Sequence, residues 1–440
     1  MQTSLPPNRS SRAPRIALSK SLIVVLVAIS LIVVETFSGA LRFYLDQAGA
    51  SALLYLPKAA CLALFAVELL TFKGSRSFWI TLLLLVSAAL LGMLHGAALN
   101  NVGFAFYMYA PFLFALVCGT HLEHRKRLLA VVVLLCLAAS LAGLALDKYT
   151  AVPWKGYSYS IGDTEVSANM SWNENGVDRI AGFTRMSTVL SVMIAVFSLY
   201  LTAFMRSNIL KLLMFGTCMV AIYLTTNKST AVAYACTVLM LPLLQHRLTC
   251  RVIFTVVVAM GIALPVMGLM MTFDTNADSA QSGVLASFYD RLMNTWPNLV
   301  FNQWSQGWTW LGAGFGMVGS TASAFPIYSA SAPVVADNSA LYLWATFGAA
   351  GLVVYCLMIA LMIGLRDKST RLSRALVSVC FCLTLVSWTT DVPEASVAAL
   401  FLGFAVSVAL RRKAMPAAAR RANPLPRLRP PTLALPVRAL

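Results

Sequence analysis

From Ser21 onward the chain is written in long apolar runs separated by polar breaks. The runs cover about 21–41, 52–72, 77–95, 102–119, 128–147, 185–205, 209–226, 229–244, 251–272, 339–365, 372–388 and 395–410. Each approaches the ~20 apolar residues with which a helix crosses a bilayer. None alternates apolar with polar positions as a barrel strand does. Helices and closed barrels are the only structures that satisfy backbone polar groups in lipid. The pattern therefore predicts an all-α polytopic membrane protein with about 12 transmembrane helices.

The breaks between runs are unequal. Most are short, but 148–184 and 273–338 are long, and loops of that length in a compact protein are functional or disordered. Trp154, Tyr157, Tyr159 and Trp172 in the first, and Trp296, Trp304, Trp308 and Trp310 in the second, argue for order, because disordered segments are poor in aromatics. Charge assigns the sides. With the N-terminus inside, every second break is basic, and only Arg42, Lys58, Lys148, Lys155, Arg179, Arg185, Lys228 and Arg291 of the 33 Lys and Arg fall outside. Cytoplasmic loops carry such an excess, so both termini are expected in the cytoplasm and both long loops in the periplasm. The expected domains are a cytoplasmic tail at 1–20, a transmembrane domain at 21–410 and a disordered basic cytoplasmic tail at 411–440.

Composition agrees: 59% of the 440 residues are hydrophobic, 11% are charged and the mean hydropathy is +0.77. A net charge of +17 points to nucleic acid in a soluble protein, but the inside bias accounts for it here, so no nucleic-acid partner is expected. The nine Cys lie in apolar runs or at a cytoplasmic turn without CxxC spacing and read as packing thiols. No P-loop, HExxH, GxSxG or metal-spaced His cluster is present, so no metal and no cofactor is expected.

Candidate chemistry gathers between Asp290 and Gly351, where a Trp-rich stretch ends in Asp337-Asn338 at a helix mouth. Arg179, Arg185 and Arg291 stand on the side where cations are scarce, and guanidinium forks onto phosphate or carboxylate. Their plain alternatives are loop ion pairs, Arg179 with Asp178 or Glu174 and Arg291 with Asp290, and snorkelling for Arg185. Lys228, in the polar turn TTNKST, either meets an anion or follows a cap made by Asn227 or Ser229. Trp296, Trp304 and Trp308 either stack on sugar rings or anchor at the lipid interface. Glu35 and Lys58 lie at similar depth and suit an intramembrane pair. His95 reads as a packing His.

Asp337-Asn338, nine residues and then Gly348-Ala349-Ala350-Gly351 resemble the motif of the O-antigen ligase and polymerase superfamily. Arg179-x-x-Gly182 entering a span, the Asn227-Lys228-Ser229-Thr230 turn and Leu311 to Gly319 add to that resemblance. Asp rather than His at 337 is more like the Wzy-type polysaccharide polymerases. The resemblance implies a metal-independent glycosyltransferase of the bacterial inner membrane that joins undecaprenyl-diphosphate-linked repeat units at the periplasmic face, in O-antigen, capsule or exopolysaccharide synthesis. An O-antigen ligase and a lipid-linked oligosaccharide flippase are the alternatives, with a non-enzymatic scaffold behind them. Implied partners are the undecaprenyl-diphosphate-linked oligosaccharide, membrane lipid, and a chain-length regulator and export machinery. On this reading Asp337, Arg291 and Arg179 are catalytic, with Asp337 accepting the proton of the attacking hydroxyl. Arg185, Lys228, Asn338, Trp296, Trp304 and Trp308 bind substrate, and Asn338 orients the sugar or caps its helix.

Overall fold

The computed structural model describes residues 19–71, 76–161, 164–167, 173–174, 177–243, 247–271, 285–327 and 335–411. Trp172, His246, the Ser/Ala/Pro-rich passage before Val335 and nearly all of both tails lie outside them.

The apolar runs become helices. In chain order these are α1 (Lys20–Thr36), α2 (Ser38–Gln47), a 3-10 turn (Ser51–Tyr55) leading into α3 (Leu56–Thr71), α4 (Arg76–Leu94), α5 (Leu99–His124) and α6 (Lys126–Tyr149). The first long loop forms two small antiparallel hairpins, β1 (Ser158–Ile161) with β2 (Thr164–Ser167) and β3 (Asn173–Glu174) with β4 (Val177–Asp178). Then come α7 (Ser187–Leu201), α8 (Asn208–Leu224), α9 (Lys228–Met240), α10 (Arg247–Met270) and α11 (Ala286–Asp290). A π-helical turn (Arg291–Thr295) joins α11 to α12 (Trp296–Ser305), followed by α13 (Ser320–Ala324) and α14 (Ser339–Phe347). The chain closes with α15 (Ala349–Asp367), α16 (Arg371–Val386), a 3-10 turn (Val392–Glu394) and α17 (Ser396–Leu410).

The twelve-span architecture is corrected by helix length. Five helical stretches among the described residues are long and apolar enough to cross a membrane: Ser51–Leu70, Leu99–His124, Lys126–Tyr149, Leu248–Met270 and Ala349–Asp367. A sixth is reached if α1 and α2, bent by 85°, count as one broken span. At 1.5 Å per residue a helix needs ~20 residues for a ~30 Å hydrocarbon layer. The expected spans at 185–205, 209–226, 229–244, 372–388 and 395–410 fold instead as helices of 15, 17, 13, 16 and 15 residues. The expected span at 77–95 folds as α4, 19 residues long.

Two breaks shorten helices for visible reasons. At Phe37 the first N–H groups of α2 are taken by a carbonyl from another segment: Gly39 N and Ala40 N donate to Phe183 O at 2.9 and 3.2 Å. These are donors with no partner inside their own helix. At Gly348 the expected span 339–365 divides. Gly348 has φ 61°, and a Cβ there would stand 1.9 Å from Trp310 O, so both the backbone and the space require glycine. Gly351 lies directly on the Leu343 carbonyl, a contact a continuous helix cannot make, so α15 folds back along α14.

The densest packing lies between α7, α16 and α17, whose sides are mostly buried, and the middle of α5. α5 and α17 approach at small residues, Gly119 against Ser407 and Gly403 against the Phe112 carbonyl, as membrane helices do where backbones must come close. Around this heart, α4, α8, α10 and the outer side of α15 expose Leu83, Leu94, Leu212, Tyr223, Val252 and Val353. Apolar surface on that scale needs an apolar solvent; this is a membrane-embedded protein.

The bundle has two unlike ends. One is basic and carries Lys20, Arg125, Arg366 and Arg411; there Lys20 pairs with Glu68 at 2.6 Å and Arg411 with Glu123. The other, the mouth end, carries Asp337, the α1–α2 bend and the α16–α17 turn.

Candidate functional site

Asp337 closes the segment that descends to α14. Its φ is 48°, in the left-handed region that a non-glycine residue enters at a cost, and Asp tolerates it better than most. Such outliers persist where surrounding contacts impose them. Here Asp337 N donates to Asp391 Oδ2 at 3.2 Å and Asn338 N to Asp391 Oδ1 at 3.1 Å. One carboxylate thus fixes two consecutive amides. With its backbone held, the half-exposed Asp337 side chain meets Arg291, whose Nε donates to Oδ2 at 3.0 Å. Arg291 opens the π-helical turn, and its Nη1 donates to Ser287 O at 3.1 Å. π-turns inside helices often mark functional positions. The ion pair that composition suggested for Arg291 is therefore real, but its partner is Asp337 rather than Asp290, which bonds Asn294 Nδ2 at 2.8 Å.

Asn338 is fully buried and caps α14, Oδ1 accepting from Leu341 N at 2.9 Å. Its amide donates to Gly261 O at 3.0 Å and Trp388 O at 3.1 Å. Those bonds use the side chain for positioning, which is the capping role foreseen for it.

Two acids complete this group that sequence reasoning passed over, Asp391 and Glu394 in the α16–α17 turn. Glu394 accepts from Ser320 N at 3.0 Å and from Ser320 Oγ. It thereby ties the glycine-rich stretch 311–319 to the mouth. That stretch passes backbone against backbone: Ala313 N donates to Ala345 O at 2.7 Å, and Phe315 N to Ala88 O at 2.9 Å. A Cβ on Gly314 would stand 2.2 Å from Gly92 N. Burial, then the charges of Glu394 and Asp337, push the Asp391 carboxyl well above the ordinary carboxylate range. Burial also raises Glu394, against the opposing pull of Ser320, Tyr342 and the more distant Lys58. Both keep some surface, so their burial comes from the packed wall behind the carboxyls. Three acids this close do not all ionise together. A signal for the pair was available: two carboxylates three apart, in a short break, in a chain with 16 Asp and Glu.

The other sequence candidates divide by position. Arg179 and Arg185 bracket the turn Ile180–Thr184, which is anchored by Asp147 Oδ2 accepting from Ala181 N and Gly182 N, both at 2.9 Å. Trp154 Nε1 donates to Gly182 O at 2.8 Å. Asp178 pairs with Lys155 at 3.4 Å. Arg185 is exposed, and its amide donates to Ser38 Oγ at 3.2 Å, beside the α1–α2 bend. Lys228 is exposed at the start of α9, where Asn227 Oδ1 caps Thr230 N at 3.3 Å. Trp296 is fully buried against Phe288, which makes it a packing residue and closes it to a sugar arriving from solvent. Trp304 is exposed. Trp308 stacks on His95 at 4.6 Å, and His95 Nδ1 bonds Ala313 O at 2.8 Å. Glu35 and Lys58 do form a pair, at 3.1 Å.

Among the described residues no group of three or more His, Cys, Asp or Glu is arranged to hold a metal. The donors aimed at Asp337, Asp391 and Glu394 are amides, a hydroxyl and a guanidinium.

Neither protein-family models nor curated proteins match this chain. The resemblance to the O-antigen ligase and polymerase superfamily is corrected by the architecture: five membrane-length helices, or six with the bent pair, stand where that reading required about twelve. The polymerase and ligase activities that depended on it fall with it, and the flippase alternative loses the twelve spans it rested on.

Proposed function

We propose that this chain is a membrane-embedded transferase that works by acid–base chemistry at the mouth end, on a donor whose glycan is linked to a lipid diphosphate. The observation that carries the reading is the Arg291–Asp337 pair, held in left-handed backbone by the Asp391 carboxylate. Asp337 takes the proton of an acceptor hydroxyl, the hydroxyl oxygen bonds the donor sugar carbon, and the sugar–phosphate bond breaks with the electron pair leaving on the lipid diphosphate. General base catalysis of this kind contributes about 10²–10⁴ in rate. Arg291 orients Asp337, Asp391 positions its backbone, and Glu394 holds Ser320 beside them. No metal is assigned to the reaction. Basic residues cluster at the end away from the mouth, which supports a bacterial inner-membrane orientation with both termini cytoplasmic and the mouth facing the periplasm.

The test is transfer in proteoliposomes, following release of polyprenyl diphosphate from a polyprenyl-diphosphate-linked oligosaccharide. Asp337→Asn should reduce turnover by about 10²-fold or more with unchanged insertion. Wild-type turnover in that variant would overturn the reading.

A further inference from the structure

The two segments that meet in the Arg291–Asp337 pair come from distant parts of the chain, and both rest on α10. By helical spacing Phe254, Val258, Gly261, Pro265 and Gly268 fall on one side of that helix. Phe254, Val258, Gly261 and Pro265 are buried, whereas Val252, Val256 and Val266 on the opposite side are exposed. The inner side is therefore bulky toward the basic end and narrows to two glycines and a proline toward the mouth. Small residues on a membrane helix let other backbones come close, and each of these glycines is met by the neighbour of one partner of the pair.

At the first notch a Cβ on Gly261 would run into Tyr355 Oη and stand 3.2 Å from Trp388 Cδ1. Four residues on, Pro265 has no N–H to give the Gly261 carbonyl, and its ring crowds that carbonyl. In lipid a carbonyl released in this way must be met by a neighbour. It is met by Asn338, which adjoins Asp337 and whose Nδ2 donates to Gly261 O at 3.0 Å. One turn earlier, Trp388 Nε1 donates to Val257 O at 2.9 Å. At the second notch a Cβ on Gly268 would stand 2.7 Å from Leu292 O and 3.3 Å from Leu292 Cα. Leu292 is buried and adjoins Arg291 in the π-helical turn. The notches lie seven residues apart on the same side of α10, or ~10.5 Å of helix rise.

We infer that Gly261, Pro265 and Gly268 are positioning residues, two notches through which α10 sets Arg291 onto Asp337. The seating of the pair stands on these contacts; its consequence for turnover rests on the transferase reading. The Gly268 contact is with backbone, which cannot swing aside as the tip of a side chain can, so an added methyl must move the π-helical turn and Arg291 with it. Replacing the proline acts on the other half: an amide at 265 competes for the Gly261 carbonyl, and Asn338 is held less firmly.

The experiment treats the full chain in mild detergent with phenylglyoxal, which adds to guanidinium groups, and reads each arginine by peptide mass spectrometry. Arg291 is the reporter. Arg42, held by the Tyr55 and Tyr159 rings rather than by α10, is the reference. Gly268→Ala should raise Arg291 labelling about threefold or more, toward its level in Asp337→Asn, with Arg42 unchanged. Pro265→Ala, which puts a good helix former in α10, should raise it about twofold, as for loss of one hydrogen bond. Gly216→Ala is the control, a helix glycine with nothing within 4 Å of an added Cβ, and should label as wild type. Wild-type Arg291 labelling in both α10 variants, or an equal rise at Arg42, would overturn the proposal; a rise in one variant alone would keep only the notch that it alters. Turnover should fall in step with labelling. Raised Arg291 labelling with wild-type turnover would keep the notches and sink the transferase's use of the pair. Unchanged labelling would overturn the notches and leave the transferase reading to Asp337→Asn.

Discussion

The two charged groups at the mouth end are built on opposite plans. Around Asp337 the acids outnumber the cation, and each acid is met by directed donors: the Asp337 and Asn338 amides, Ser320 and Arg291. Around Arg42 the guanidinium is held by the Tyr55 and Tyr159 rings, while Lys58 pairs with Glu35 and faces the Tyr107 ring. Directed hydrogen bonds fix the position of a carboxylate. Aromatic faces hold a cation in place without neutralising it. The sequence reading gave proton acceptance to Asp337 and the holding of an anion to arginines; the structure engages one of those arginines, Arg291, with Asp337 itself.

The largest effect expected is at Asp337, where Asp337→Asn should lower transfer in proteoliposomes by about 10²–10⁴-fold. Next comes the hinge that sets up the acid-rich group. Gly348→Ala meets a left-handed backbone and the Trp310 carbonyl together, and should cost about 2–4 kcal/mol from strain and overpacking. Thermal unfolding in mild detergent measures it, and an unchanged midpoint would remove Gly348 as the cause of the α14–α15 reversal. Third is Gly268→Ala, which should raise phenylglyoxal labelling of Arg291 about threefold and leave the ring-held Arg42 as in wild type; an equal rise at both would erase the contrast between the two groups.

A smaller effect follows from the raised acids. Asp391 and Glu394 hold protons more tightly in the folded protein than in the unfolded chain. Their contribution to stability is complete below the unfolded values near pH ~4 and is lost as pH rises through their folded values. Unfolding midpoints should therefore drift downward as pH rises above about 4, and Glu394→Gln should flatten the drift. An identical slope in that variant would take Glu394 out of the coupled group.

Much of the site was legible and part was not. Asp337, Asn338 and Arg291 stood out because charge is rare in this chain, and the structure brings all three to the mouth. The capping role of Asn338 and the Glu35–Lys58 pair were both among the readings the residues allowed. Trp296 went the other way, because a Trp in a polar stretch reads as exposed until the helix carrying it is seen packed. Asp391, Glu394 and Arg42 were passed over. Each lies at the edge of an apolar run, where a single charge reads as the end of a helix, and their meaning depends on partners far along the chain.

By itself the sequence determined that the chain is helical and membrane-embedded, that its basic residues gather at one end, and that its scarce polar residues mark the other. These follow from composition and local hydrophobic pattern, which are properties of neighbours along the chain. Only the tertiary structure decided how long each helix is, where it bends and which charges meet. The bend at Phe37 exists because the Phe183 carbonyl takes the amides of α2, and the reversal at Gly348 because Trp310 packs against it. Hydropathy counts apolar residues and is blind to such contacts, so it read two broken or folded helices as straight spans and several short ones as long.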